Sequence, residues 1–105
     1  MSIKLNAILT ITEPTGHTWT MNLSLGPLFT IGRAKENNIV LNDRRVSRKH
    51  AFITSDATGF KIVDGYFENG ELLRSVHHVF VNGAMKLEHV LADTDVILIG
   101  ESRIE

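Results

Sequence analysis

Hydrophobic and polar positions alternate along the first part of the chain. Over residues 3–12 the odd positions are apolar, and the even positions are polar except for Ile8. The alternation returns over residues 18–25, where the odd positions are again apolar. Because successive side chains of a strand point to opposite faces, this period of two predicts two strands that each bury one face. Proline and glycine in residues 13–17 predict a turn, so the two strands should form a β-hairpin.

Short apolar runs recur along the rest of the chain, each bounded by glycine, asparagine, aspartate or proline. They are LFTI (28–31), NIVL (38–41), AFIT (51–54), FKIV (60–63), VFV (79–81) and DVILIG (95–100). Runs of this length with frequent turn residues are typical of the strands of an all-β sandwich. No linker, repeat or low-complexity segment divides them, so we expect one domain spanning residues 1–105.

One segment departs from the strand pattern. In ELLRSVHHVF, residues 71–80, the apolar side chains have the spacing of a helix rather than of a strand. They are Leu72, Leu73, Val76, Val79 and Phe80. We predict a long loop here, with a single helical turn as the alternative.

The size and composition of the chain are those of an ordinary globular domain. Its 105 residues can bury one core but not two, and 43% of them are hydrophobic against 22% charged. The 11 Lys and Arg against 12 Asp and Glu argue against a whole-molecule field built for nucleic acid, so attraction for an anion has to be local. The absence of cysteine, and an N-terminal segment that resembles neither a signal peptide nor a membrane span, predict a cytoplasmic protein.

Positive charge is concentrated around one serine, Ser47. In LNDRRVSRKHAFI, residues 41–53, its basic neighbours are Arg44, Arg45, Arg48, Lys49 and His50. A serine hydroxyl donates one hydrogen bond and a guanidinium offers a planar fork of donors, which together suit a tetrahedral oxyanion such as phosphate. Solvated turn charges without a ligand are the alternative interpretation.

A further arginine lies at the end of another predicted strand. Arg33 follows Gly32, and glycine lets the backbone turn sharply at this point. Loops at one end of a sandwich can bring residues from different strands together. We therefore expect Arg33, Ser47 and Arg48 to form one anion site.

The sequence of this region resembles that of one known family. TIGRAKENNIVLNDRRVSRKHA is similar to the central part of a forkhead-associated (FHA) domain, a phosphothreonine-recognition β-sandwich. The matching features are Gly32-Arg33, the run Asn38–Leu41 with Asp43, the motif Ser47-Arg48-Lys49-His50-Ala51, the turn Val81–Gly83 and the strand Leu91–Gly100. The resemblance covers about nine-tenths of the chain, and its first half is far more specific than a short motif.

The resemblance implies an all-β, FHA/SMAD-like β-sandwich of two antiparallel sheets, with about 10–11 short strands and the binding loops at one end. It also implies a phosphothreonine-peptide-binding module that mediates phosphorylation-dependent protein–protein interaction in signalling, and not an enzyme. The expected partner is a phosphothreonine-containing protein or peptide, with no nucleic acid, membrane, cofactor or metal involved. Such domains are commonly joined to others, so we expect residues 1–105 to be the N-terminal module of a larger protein.

The resemblance assigns binding roles to individual residues. Arg33 and Ser47 match the two residues that hold the phosphate. Arg48 occupies a position that often adds a contact to the phosphate or to the peptide backbone. Arg45 lies where the family selects the peptide residue three after the phosphothreonine, and an arginine there implies a preference for an acidic residue.

Four residues match positions that support the binding loops. Gly32 provides a turn, and His50 is expected to brace the loops from behind by hydrogen bonding. Asn82 and Gly83 belong to the Val-Asn-Gly turn. His50 is therefore predicted to be a structural histidine of the core rather than a catalytic base.

One family motif is altered in this chain. The family usually carries Ser-x-Asn-Gly-Thr shortly before the Val-Asn-Gly turn, and the Asn of that motif holds the peptide backbone. Counting back from the turn places His77-His78 at the Asn-Gly position. Counting forward from Asp64 instead places Asn69-Gly70 there, with an insertion following.

We prefer the first alignment because it keeps Ser75 and both strand spacings. Val76 and His77 then become the expected peptide contacts. An imidazole can donate one hydrogen bond, but it cannot reproduce the paired donor and acceptor of an amide. The alternative function is therefore a degenerate FHA scaffold that acts in phosphate-independent protein interaction.

Catalysis and metal binding have little support in the sequence. An enzyme would need Ser47 as nucleophile and His50 as base, but the chain has no Gly-x-Ser-x-Gly elbow, no P-loop and no carboxylate placed to orient His50. Adjacent histidines on a strand point to opposite faces, so His77 and His78 do not readily chelate one metal.

Overall fold

The computed structural model describes residues 7–56 and 59–105. Within these residues the regular structure is almost entirely strand, with one turn of 3-10 helix at Leu23–Leu25. The strands are β1 Ile8–Thr12, β2 Thr18–Asn22, β3 Leu28–Gly32, β4 Ile39–Val40, β5 Ala51–Asp56, β6 Gly59–Asp64, β7 Tyr66–Glu68, β8 Glu71–Leu73, β9 Val79–Val81, β10 Ala84–Met85, β11 Glu88–Val90, β12 Ile97–Ile99 and β13 Ser102–Ile104. No helix in this described part is long and apolar enough to cross a membrane.

Two large sheets form a β-sandwich. The first has six strands in the order β10-β9-β12-β13-β1-β2, with antiparallel neighbours throughout its described residues. The second has five strands in the order β11-β6-β5-β3-β4. A separate two-stranded ribbon is formed by β7 and β8. The predicted all-β sandwich is confirmed.

Two details of the predicted architecture were wrong. The described residues contain 13 strands rather than about 10–11, because several strands have only two or three residues and leave no clear pattern in the sequence. The second sheet is also not purely antiparallel, since β3 and β4 run parallel. The loop of residues 33–38 returns the chain to the side of β3, where Asn38 Oδ1 accepts a hydrogen bond from Thr30 N (2.9 Å).

Alternating burial along the strands builds one core between the sheets. In β1, Leu9 and Ile11 are buried, whereas Ile8 is 62% exposed, as its even position in the sequence pattern predicts. The fully buried aliphatic side chains come from both sheets and include Ile11, Ile97, Ile99, Ile104, Ile31, Ile39, Ile53 and Ile62. Burying each of them contributes about 1.5–3 kcal/mol relative to exposure, and this core fixes the strand ends from which the loops begin.

The predicted hairpin at the start of the chain is confirmed over its described residues. β1 pairs with β2 along its full described length, from Ile8 opposite Asn22 to Thr12 opposite Thr18. Residues 3–6 of the predicted first strand lie outside the described residues. The second strand was predicted to continue to residue 25, but it ends at Asn22. There the Asn22 side chain accepts a hydrogen bond from Ser24 N (3.0 Å) and caps the 3-10 turn.

The loop predicted for residues 71–80 is wrong at both ends, since Val79 and Phe80 belong to β9. Glu71–Leu73 forms β8 and pairs with β7, so the chain makes a second hairpin before it reaches residue 74. Asn69 and Gly70 form the turn with φ of 51° and 80°, the left-handed conformation that a two-residue hairpin turn favours. This Asn-Gly signal outweighs the helical spacing of the apolar residues that follow it. Residues 74–78 do form a loop.

Candidate functional site

Arg33 and Ser47 lie side by side where β3 ends. The backbone N–H of Arg33 donates to the carbonyl oxygen of Ser47 (3.0 Å). The Nε of Arg33 donates to the carbonyl oxygen of Val46 (3.0 Å), which orients the exposed guanidinium. A guanidinium has five N–H donors, so most of its fork remains available to a ligand. Two residues from different loops are thus brought together, as the sequence predicts.

The close approach of these loops depends on Gly32 and Asn37. A Cβ atom at Gly32 would collide with the backbone carbonyl of Arg48, so a larger residue would push the two loops apart. The Nδ2 of Asn37 donates to the carbonyl oxygens of Ala34 and Arg48, both at 2.8 Å. Sequence reasoning missed Asn37, because an asparagine in a loop gives no signal of a bond across eleven residues.

Each polar group of Ser47 has a defined direction. Its N–H donates to Nδ1 of His50 (3.0 Å), and its Oγ accepts from the backbone N–H of Val76 (3.4 Å). Because the Oγ lone pair faces Val76, the hydroxyl proton is free to be donated elsewhere. The half-buried Ser47 therefore presents a positioned donor near the Arg33 guanidinium.

His50 is fully buried behind Ser47 and connects two loops. Since Nδ1 accepts from Ser47 N, the ring proton is on Nε2, which donates to the carbonyl oxygen of His78 (2.8 Å). Burial lowers the pKa of His50, and His77 lowers it further, against the opposing effects of the His78 carbonyl and Asp64. His50 is therefore neutral at neutral pH, and its ring connects Ser47 to residues 74–78 by one hydrogen bond to each.

Residues 74–78 pass directly beside Ser47. The N–H of Ser75 donates to the buried Oδ1 of Asp64 (3.0 Å). His78 adopts a left-handed φ of 65°, a conformation that favours glycine. The bonds from Val76 N to Ser47 Oγ and from His50 Nε2 to His78 O thus put residues 75–78, and not Asn69-Gly70, beside Ser47.

Asp43 ties the Ser47 loop to the turn between β12 and β13. Its Oδ1 accepts from Arg45 N (2.9 Å), and its Oδ2 accepts from Glu101 N (2.7 Å) and Ser102 Oγ (2.8 Å). Burial alone would raise the pKa of Asp43, but the hydrogen bonds from Arg45, Ser102 and Glu101 together hold it below its ordinary value. The carboxylate is therefore charged at neutral pH. The sequence could not show that Asp43 bonds to Glu101, which is 58 residues away along the chain.

The cations around Ser47 are exposed. A surface hollow of about 420 Å³ is lined by Ser47, Arg48, Arg74 and Val76, among others, while Arg33 is outside that lining. Arg45 pairs with Glu101 at 3.4 Å, and both side chains are more than half exposed. Such a surface pair contributes about 0–1 kcal/mol, so a ligand carboxylate can replace Glu101. The arrangement can bind a multiply charged oxyanion.

Asn82 and Gly83 do not support these loops, in contrast to the prediction. They form the turn at the end of β9 that is remote from His78, with φ of 51° and 85°. Asn82 donates to Asp95 Oδ1 (2.8 Å) and accepts from Val96 N (2.9 Å). Hydrogen bonds from Ala92 and Asn82 hold the pKa of Asp95 below its ordinary value. The turn therefore organises the segment before β12.

Groups of acidic, histidine or cysteine side chains that could hold a metal ion are absent from residues 7–56 and 59–105. His77 and His78 are exposed at the site without a carboxylate bound to either ring among the described hydrogen bonds.

Sequence comparison finds one matching family and several similar proteins. A model of the FHA domain matches residues 29–100, which include Arg33, Ser47 and residues 74–78. Over 70 residues, 67% of this chain and 7% of the relative, it is 39% identical to the ABC transporter ATP-binding/permease protein Rv1747 of Mycobacterium tuberculosis. Over 78 residues, 74% of this chain and 49% of the relative, it is 32% identical to the oxoglutarate dehydrogenase inhibitor of Corynebacterium diphtheriae. The chain spans less than half of the length of each of these curated relatives.

Structural comparison extends over nearly the whole chain. The crystal structure of the Slr1951 protein from Synechocystis sp. matches with a TM-score of 0.81 and 30% identity, covering 95% of this chain and 92% of that one. A structure from a structural and functional analysis of phosphothreonine-dependent FHA domain interactions matches with a TM-score of 0.74 and 30% identity, covering 95% and 93%.

Proposed function

Since the chain belongs to the FHA domain family, we propose that it is a phosphothreonine-peptide-binding module that mediates phosphorylation-dependent protein–protein interaction in signalling. The observation that carries the proposal is the junction of Arg33 and Ser47, held by the bonds from Arg33 N to Ser47 O and from Arg33 Nε to Val46 O. The proposed phosphate ligands are the guanidinium of Arg33, the hydroxyl of Ser47 and the adjacent Arg48.

These groups suit a phosphate monoester better than a carboxylate. The phosphate carries a charge of about −1.5 to −2 at pH 7 and three acceptor oxygens, whereas a glutamate carries one charge on a planar group. Each well-placed charge-assisted hydrogen bond contributes about 1.5–3 kcal/mol. Two or three of them with a few peptide contacts correspond to roughly micromolar affinity. Acidic residues should therefore be poor substitutes for the phosphate.

The peptide contacts proposed beside the phosphate come from two loops. Val76 is 75% exposed and its N–H already touches Ser47 Oγ, so its side chain borders the phosphate position. His77 is exposed next to it. Arg45 is proposed to attract an acidic residue three after the phosphothreonine, in exchange for its weak pair with Glu101.

The test is a titration of matched phosphothreonine and unphosphorylated peptides into the protein and its variants. We expect binding only of the phosphorylated peptide. Arg33→Ala should weaken it about 30- to 150-fold, and Ser47→Ala about ten-fold, because they remove about 2–3 and 1.5 kcal/mol. The control is Arg103→Ala, an exposed arginine on β13 that should leave affinity unchanged. Phosphate-independent binding, or affinity indifferent to both site substitutions, would contradict the proposal.

One observation favours a second function, the degenerate scaffold that binds partners without phosphate. The support is His77, exposed in the loop beside Ser47, which the preferred alignment matches to the amide of the family motif, so we propose that one backbone contact to the peptide is altered. Both candidates are interaction modules rather than enzymes. We propose the cytoplasm as the compartment in either case.

A further inference from the structure

An apolar groove lies next to the proposed phosphate site, on the outer face of the second sheet. Leu28 and Thr30 of β3 pair with Thr54 and Phe52 of β5, and these side chains share the face opposite to the buried Phe29 and Ile53. The β7–β8 ribbon forms the other wall, where the Phe67 ring lies 5.7 Å from the Phe52 ring. The groove encloses about 460 Å³.

Much of the apolar surface of this groove is exposed. Phe67 is 63% exposed and Leu28 is 49% exposed. The ribbon pairs with neither large sheet in the described residues, so its contacts with the sheet come from side chains such as Phe67. Exposed aromatic surface beside a binding site is typical of an interaction surface.

The groove is continuous with the hollow that contains Ser47 and Arg48. Four residues line both: Ala34, Glu36, Lys49 and Tyr66. At the junction the Nζ of Lys49 lies 5.6 Å from the centre of the Tyr66 ring. A peptide whose phosphate is bound at Ser47 can therefore extend along the surface into the apolar groove.

We infer that this groove binds an apolar side chain of the same phosphothreonine peptide that the Ser47 site holds. The inference rests on the proposed function. Phe52 is five positions after Ser47 in the chain, so their Cα atoms are at most about 17 Å apart, at roughly 3.4 Å per residue. An extended peptide covers that distance within about five residues of its phosphothreonine. The apolar residue adds sequence selectivity to the phosphate contact.

The experiment measures the affinity of a set of phosphothreonine peptides that are otherwise polyalanine-like. Each carries one leucine at one of about five positions on either side of the phosphothreonine, and the reference peptide carries none. We expect one or two neighbouring positions to bind about ten-fold tighter than the reference, the gain that burial of one leucine side chain supports. Unphosphorylated versions of the same peptides measure the contribution of the groove alone.

Variants on both walls identify the groove as the source of the preference. Phe67→Glu and Leu28→Glu should each remove the leucine advantage and leave the affinity for the reference peptide within about two-fold. Because the two positions lie on different elements, loss in both excludes a local folding defect of the ribbon. Val90→Glu is the control, since Val90 is 60% exposed on β11 and does not line the groove.

The outcomes separate the inference from the proposed function. Phosphate-dependent binding without any leucine preference, or a preference that persists in both glutamate variants, overturns the inference and leaves the phosphothreonine function standing. Binding of the leucine peptides that is independent of phosphate and lost in the glutamate variants points to the scaffold function and overturns the inference as stated. Failure of all peptides to bind overturns both.

Discussion

Single residues of the site are held by several bonds each, and Ser47 is the clearest case. Its N–H is bound by His50 Nδ1, its carbonyl by Arg33 N and its Oγ by Val76 N. The three partners lie at residues 33, 50 and 76, so the position of the Oγ atom is set before any ligand arrives. Preorganisation of this kind reduces the entropy that binding has to overcome.

His77→Asn tests the altered family position at the same scale. An amide at residue 77 can donate to and accept from the peptide backbone, whereas an imidazole makes one such bond. One additional bond contributes about 1 kcal/mol, so phosphothreonine peptides should bind His77→Asn about five-fold tighter by fluorescence anisotropy. His17→Asn, in the exposed turn between β1 and β2, is the matched control. Equal or weaker binding would show that His77 already makes the contact.

Among the elements, the segment of residues 41–50 carries Ser47 and Arg48 and is bound to two other parts of the molecule. Asp43 anchors it to the β12–β13 turn, and His50 anchors it to residues 74–78. The loop has no strand pairing of its own between residues 41 and 50. Its shape therefore depends on these two buried side chains, together with the bond of Asn37 to the Arg48 carbonyl.

Asp43→Ala is expected to destabilise the whole domain as well as the loop. Three donors, from Arg45, Glu101 and Ser102, would lose their acceptor at once. Loss of a buried, charge-assisted network costs about 3–5 kcal/mol, measurable as a lower free energy of unfolding in urea. Asp93→Ala, at an exposed aspartate in the segment before β12, should change it by less than about 0.5 kcal/mol. Equal effects of the two substitutions would contradict the role given to Asp43.

Across the whole molecule, buried titratable groups tie stability to pH. The pKa of His50 is lowered by burial, so the unfolded chain takes up a proton at this residue at a higher pH than the folded protein does. The unfolded state then binds more protons as the pH falls below about 6.5, and the folded state loses stability. Asp43 and Asp95 add a second loss at lower pH, because their lowered pKa values keep them charged in the folded state.

We therefore expect the free energy of unfolding to be highest above about pH 6.5 and to fall in two stages on acidification, below about 6.5 and below about 4. One proton difference gives a slope of about 1.4 kcal/mol per pH unit, which urea unfolding at several pH values can resolve. Nitrogen NMR of the His50 ring provides the direct measurement. It should show the Nε2–H form in the folded protein at pH 7 and a midpoint of ring protonation below 6.5, and a midpoint above 6.5 would contradict the assignment.

The two ends of the sandwich hold different groups of residues. One end holds Ser47, Arg33 and residues 74–78, and the opposite end of β9 holds the network of Asn82 and Asp95. β9 spans both, with His78 before its first residue and Asn82 after its last. The family motifs are thus spread over both ends of the molecule. The prediction for Asn82 and Gly83 therefore named the end that holds Ser47, whereas the turn lies at the other end. A motif gives the order of residues along the chain but not the end of the strand at which each lies.

The sequence by itself determined the longer strands of the sandwich, because burying one face of a strand requires an alternation that is visible locally, as in Leu9 and Ile11. It did not predict the two- and three-residue strands β7, β8, β10, β11 and β13, which are too short to show an alternation. It also predicted that Arg33 and Ser47 lie close together. That prediction came from the resemblance to the FHA family, because the periodicity of a sequence does not show which distant residues meet. Only the tertiary structure decided which atoms meet across many residues. The bond of Asp43 to Glu101, the position of the β7–β8 ribbon and the groove beside Phe52 depend on three-dimensional packing. A side chain on the outer face of a strand has no neighbours in sequence that specify what will lie over it.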